Sequence, residues 1–154
     1  MLAAADGGVS ALDGTWLLDL ERSTDPSPVL ERLDVPWVLR KVGPSVKVTN
    51  VIVTSSQKAV IEAKSTLIPS KRTTQIFDGV TPTKDDFFGH PFEYVVTIEG
   101  DTIVAKGAVT LPKEGKVPLE LRRRVDEEGR MIYRIIVTPP GEKTLEIVRV
   151  FNRK

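Results

Sequence analysis

From Gly14 onward, apolar residues recur mostly at every second position, and one early stretch breaks this rhythm. Val46, Val48, Asn50 and Ile52 alternate with Lys47, Thr49, Val51 and Val53, the period of a pleated strand with one buried face. The same pattern predicts strands over Gly14–Glu21, Ala59–Leu67, Arg72–Phe77, Phe92–Ile98, Thr102–Leu111, Pro118–Val125, Met131–Thr138 and Lys143–Phe151. Between them lies turn chemistry: Asp78-Gly79, Glu99-Gly100-Asp101, Lys113-Glu114-Gly115, Asp126 to Gly129 and Pro139-Pro140-Gly141. Strands joined by such short turns form an antiparallel meander, which either exposes two edges or closes on itself.

The exception runs from Pro26 to Val42. Ser23, Thr24 or Asp25 can cap a helix there, and Pro26 or Pro28 suits a first turn, where no amide donor is needed. Val29, Leu30 and Leu33 then share one face, opposite Glu31, Arg32 and Asp34. Pro36 forbids simple continuation, so a second short helix is expected from Pro36 to Val42, ended by Gly43-Pro44. Two helices of about two turns each are too short to stand alone in water. Their apolar faces must lie on something, and a sheet closed into a barrel offers a rim.

Closure around a cavity is the better expectation. The chain has 154 residues but only two Trp, two Tyr and five Phe to fill an interior. A domain of this size buries roughly 70% of its unfolded surface, yet a barrel of nine or ten strands is wider than side chains alone can fill.

Two arginines interrupt apolar rows. In the last strand Leu145, Ile147, Arg149 and Phe151 share one face; near the Asp126 turn Leu119, Leu121, Arg123 and Val125 form a corresponding row. A buried arginine is costly unless something anionic or hydrogen-bonding meets it, and its planar fork matches a carboxylate. Within Arg122-Arg123-Arg124 the phase is open: Arg122 could equally be the inward residue, or the cluster a solvated edge. If Arg134 faces water, Tyr133 faces the cavity. Trp16 reads as core and Trp37 as lid packing.

Gly14-Thr15-Trp16, the run V-L-E-R-L-D-V-P-W-V-L-R-K-V from Val29 to Val42, and the closing R-V-F-N-R from Arg149 to Arg153 resemble the intracellular fatty-acid- and retinoid-binding protein family, within the lipocalin-like barrels of the calycin superfamily. The resemblance implies an all-β, closed antiparallel up-and-down barrel of about ten strands, with a two-helix lid after the first strand. It covers residues 12–154 as one domain; residues 1–11, small and without an apolar run, read as a flexible tail or the remnant of a trimmed leader. It also implies a carrier of a long-chain fatty acid or similar amphiphile, monomeric and cytoplasmic. That family holds its ligand with two arginines and a tyrosine. Arg149 matches one arginine and Arg123 is paired with the other, while Phe151 occupies the tyrosine's position, leaving Tyr133 to supply a hydroxyl. Val29, Leu30, Val35 and Leu39 match portal-lining positions, where plain packing of helices on a rim would look the same.

Composition narrows the partners. With 22 basic and 21 acidic residues there is no net field to gather nucleic acid. Arg122 to Arg124 and Arg40-Lys41 could touch an anionic membrane surface transiently. The absence of cysteine removes thiol catalysis and disulfides. No nucleophile motif or metal-ligand cluster is present, so neither cofactor nor metal is expected. Asp85-Asp86 and Glu127-Glu128 read as solvent-facing turn residues. His90, in a loop among Phe87, Phe88 and Phe92, leaves a second reading: a barrel that holds haem or a pigment, or acts as an enzyme on an enclosed hydrophobic substrate.

Overall fold

The computed structural model describes residues 9–35, 46–65 and 69–154. Among the described residues ten strands follow in chain order: β1 (Gly14–Asp19), β2 (Val48–Thr54), β3 (Lys58–Ser65), β4 (Lys71–Ile76), β5 (Thr83–Phe87), β6 (His90–Glu99), β7 (Thr102–Leu111), β8 (Gly115–Val125), β9 (Met131–Val137) and β10 (Leu145–Arg153), with a helix, α1 (Ser27–Arg32), after β1. They form a single antiparallel sheet of order β4-β3-β2-β1-β10-β9-β8-β7-β6-β5. The meander is therefore nearly closed by β1 against β10, and its two end strands, β4 and β5, meet without a backbone ladder. The expected second helix, Pro36 to Val42 with Trp37 and Leu39, lies outside the described residues. Among the described residues no helix is long and apolar enough to cross a membrane.

β5 departs from the sequence reading, which left Asp85, Asp86 and His90 in a loop. Thr83–Phe87 pairs with β6 from Thr83↔Tyr94 to Phe87↔His90, so Phe88-Gly89 is a two-residue hairpin turn. Both turn residues have positive φ, 49° at Phe88 and 90° at Gly89, as a type I′ turn requires. An aromatic residue rather than Asn precedes the glycine, and four of the five strand residues are polar because they border the seam, so neither usual hairpin signal is present.

The helix also ends earlier and differently than proline alone would dictate. Asp34 adopts φ 58°, Val35 N donates to Leu30 O at 3.0 Å and Asp34 N to Glu31 O at 3.1 Å, a left-handed C-terminal motif that Asp tolerates. That turn buries Val35 together with Val29, Leu30 and Leu33. At the start, Pro26 takes the cap position without a side-chain cap. The segment before it is instead fastened to β10: Thr24 N donates to Val148 O at 2.8 Å and Val150 N to Ser23 Oγ at 2.9 Å.

Arg32, in the last turn of α1, clamps the helix to two hairpin turns. Its guanidinium pairs with Glu114 at 2.6 Å and with Glu142, which holds both carboxyls below their ordinary range, mainly through these hydrogen bonds. A carboxyl whose folded pKa is depressed stabilises the fold above its unfolded pKa and loses that contribution as pH falls through the folded value. Amide exchange in α1 is thus expected to accelerate below the ordinary glutamate pKa near 4.5. Glu114→Gln/Glu142→Gln should exchange fast already at neutral pH, and equal protection in both proteins would refute the clamp.

Gly107, in β7, lies opposite Tyr94 and Leu119. A Cβ there would stand 1.9 Å from Glu93 O and 2.6 Å from Tyr94 Cα, both backbone atoms that cannot swing away. Gly107→Ala is expected to force β6 and β7 apart and cost about 1–3 kcal/mol. Thermal unfolding checks this, and an unchanged midpoint would contradict it.

Candidate ligand cavity

The barrel holds a partly open apolar cavity of about 360 Å³ beside a smaller lobe of about 140 Å³; Arg123, Tyr133, Ala63, Lys71, Asp86 and Phe87 border both. The larger space falls within the roughly 300–1,000 Å³ typical of small-molecule sites. Its far wall is built by three adjacent strands. Arg123 of β8 lies directly opposite Tyr133 of β9, which lies opposite Arg149 of β10. Residues paired across strands present side chains to the same face about 5 Å apart, so the period of two makes Arg123, Tyr133 and Arg149 one inward row.

Within that row the Arg123 guanidinium lies over the Tyr133 ring, 3.9 Å from its centroid. Arg123 is buried and Arg149 half-buried. Burial pushes the Arg149 pKa below its ordinary value, partly offset by Tyr133. Among the described residues neither arginine makes an ion pair, and the Nε of each is buried without a hydrogen-bond partner. Two cations line a largely apolar space and neither is ion-paired among the described residues, an arrangement costly to the protein alone and suited to a bound anion.

The ambiguity within Arg122-Arg123-Arg124 is resolved. Arg122 points outward to Glu120 at 2.7 Å and Glu99 at 3.0 Å. Arg134 is exposed and paired with Glu146, which leaves Tyr133 inward. Phe151 is buried and lines the cavity beside Ile135. Val29, Leu30 and Val35 sit in the apolar core beneath α1 rather than among the cavity's lining residues, and Leu39 lies outside the described residues. His90 is a buried strand residue rather than a loop residue: its Nε2 lies 3.2 Å from Asp34 O, tying β6 to the end of α1.

Several lining residues escaped sequence reasoning. Asn50 and Phe88 border the larger space. Asn50 stood in the inward row of β2, so its phase was available, whereas Phe88 depended on the unrecognised hairpin. Gln75, Asp85 and Tyr94 meet only because the end strand β4 comes up against the end strand β5 and its neighbour β6. Gln75 Nε2 is 3.3 Å from the Tyr94 hydroxyl, which is 3.4 Å from Asp85 Oδ2. Asp85 is in turn paired with Lys71 of β4. These side chains span the seam in place of a ladder.

No protein-family model matches the chain, and no curated protein sequence matches it. Solved structures do. The REP1-NXSQ fatty acid transporter superposes with a TM-score of 0.74 at 17% identity, over 93% of this chain and 96% of that one. The Schistosoma mansoni fatty acid binding protein in complex with arachidonic acid gives 0.74 at 21% identity, over 96% and 99%. The fold is that of the fatty-acid-binding proteins. Echinococcus granulosus fatty-acid-binding protein 1 shares it too, with a TM-score of 0.72 at 19% identity over 93% and 97% of the two chains. Identities this low leave the site to be argued from its own residues. Within the fatty-acid-binding-protein fold, this chain places a phenol between its two inward arginines and a phenylalanine two residues beyond Arg149.

Proposed function

We propose that the chain is a carrier that encloses a long-chain fatty acid or similar hydrophobic carboxylate and performs no chemistry on it. The observation that carries this reading is the Arg123–Tyr133–Arg149 row, set in an apolar cavity with both arginine Nε atoms unpartnered. A carboxylate accepts charge-assisted hydrogen bonds from Arg149, and the Tyr133 hydroxyl adds a donor where Phe151 offers none. The tail then lies along Ile135, Phe87, Phe88 and Val48. Val29, Leu30, Val35 and Leu39 would support the rim through which it enters. The fold shared with fatty acid binding proteins supports the same reading. A reading built on His90 as a haem or pigment ligand has less support, because that side chain is buried against Asp34 O.

A monomeric cytosolic protein belongs to this proposal, as does transient contact with anionic membranes during transfer. The test is native mass spectrometry of the purified protein, then delipidation and displacement of a fluorescent fatty acid by oleate. Co-purified lipid, or displacement at micromolar or lower oleate, is the expected result. An empty protein that takes up no probe would overturn it.

A further inference from the structure

Asn50 is 3% exposed and lines the larger cavity from β2. Its side-chain neighbours on that face offer it no hydrogen bond. Across the ladders it lies opposite Trp16 of β1 and Ala63 of β3, and the same-face residues before and after it are Val48 and Ile52. The Trp16 Nε1–H is committed to Leu12 O, and the other three side chains are aliphatic. Among the described residues the Asn50 amide has no hydrogen-bond partner, yet neither its Oδ1 nor its Nδ2 is sealed off as Gln75 Oε1, Arg123 Nε and Arg149 Nε are. An amide buried in this way costs the empty protein stability, and a leucine of similar size would suit the fold better. Ala63, also a lining residue, ends at Cβ and leaves room beside the amide for part of a guest.

We propose that Asn50 is a second polar contact for the enclosed hydrophobic carboxylate, reading an oxygen carried on its tail. A single amide presents both a donor and an acceptor, so the ligand has only one side chain to reach. A hydroxyl donates to Oδ1 or accepts from Nδ2, and an oxo group accepts from Nδ2; a methylene does neither. The amide is uncharged, so the carboxylate head goes to Arg149 and not here. The ladders give the spacing. Trp16 stands opposite Asn50, whereas Leu20, next beyond the Asp19↔Val150 pair, comes opposite Arg149. The amide is therefore two strands across and four residues along from the arginine, roughly 10 Å and 13 Å on the sheet. Such a separation sets the oxygen many methylenes from the head. The selected ligands are hydroxy- or oxo-fatty acids oxygenated in the middle or distal part of the chain.

This inference rests on the carrier reading above, and one titration separates their failures. Displacement of a fluorescent fatty acid is measured with stearate and with hydroxy- and oxostearates whose oxygen moves from beside the carboxylate to the end of the chain. One or two neighbouring positions remote from the carboxylate are expected to bind about five- to tenfold more tightly than stearate, the worth of one buried hydrogen bond. Asn50→Leu should reverse the order, with stearate gaining and the preferred isomer falling below it, and the empty variant should melt no lower than the native protein. Asn50→Val makes the same comparison if the leucine variant does not fold, and failure of both to fold would mark the amide as a support of the fold and overturn the proposal. Stearate binding with no preferred position overturns the subsite alone and leaves an amide that holds water. A preference that survives the substitution places the oxygen elsewhere and overturns it as well. Failure of stearate and every isomer to bind overturns the carrier reading and this inference together.

Discussion

Trp16→Ala is expected to lower the thermal midpoint by roughly 10 °C or more. The indole is completely buried at the junction of β1, the residues before it and the last strand. Its Nε1 donates to Leu12 O at 2.8 Å, and the Arg153 guanidinium lies 4.1 Å from its ring centroid. That guanidinium also donates to Asp13 O and Ala11 O, each at 2.7 Å, so the ring underlies the clasp between the two strands that close the meander. Removing a buried Trp costs about 3–5 kcal/mol from a total stability of only about 5–15 kcal/mol. In a domain of this size each kcal/mol shifts the midpoint by about 2–4 °C. Circular dichroism melts provide the check, and a fall of less than about 3 °C would show that the surrounding core collapses onto the vacancy. Trp16→Phe should fall between the two proteins, since it keeps most of the apolar contact and leaves the Leu12 carbonyl without its donor.

Arg149→Met is expected to weaken oleate by about 10- to 150-fold, the roughly 1.5–3 kcal/mol of a hydrogen bond to a charged group, while oleyl alcohol binds nearly as before. The same substitution should leave the empty protein as stable or more so. Arg149 has no carboxylate partner among the described residues, and burial already depresses its pKa, so the apo fold bears the cost of holding this cation. An apolar side chain of similar volume relieves that cost. Opposite signs in the two readouts, binding lost and melting temperature held or raised, are the mark of a residue kept for its ligand. Equal losses for acid and alcohol, together with a lower melting temperature, would instead identify Arg149 as a support of the fold.

The legible parts of the chain are those in which local chemistry and the buried face agree. β7 was read at its observed bounds because apolar alternation runs unbroken between a Glu-Gly-Asp turn and a Lys-Glu-Gly turn. Arg149 was read inward because it sits two residues from both Ile147 and Phe151, and a strand admits only two phases. The arginine cluster of β8 was not legible in this way. Arg122 and Arg123 flank the phase equally, and what separates them is the pairing of Arg122 with Glu99 and Glu120 outside and of Arg123 with Tyr133 inside. β5 was missed for a related reason. Its residues serve a seam rather than a ladder face, and such residues are polar without being a loop.

The sequence alone determined the meander, the helical interruption after the first strand and the two arginines that break apolar rows, because periodicity, turn residues and burial cost are properties of neighbouring positions. Tertiary structure decided which strands meet at the ends of the sheet, and hence that Asp85, Tyr94 and Gln75 form one hydrogen-bonded chain across a seam. It also set Tyr133 between Arg123 and Arg149. These are contacts between residues whose separation along the chain carries no period, and only the closing of the sheet brings them within hydrogen-bonding or stacking distance.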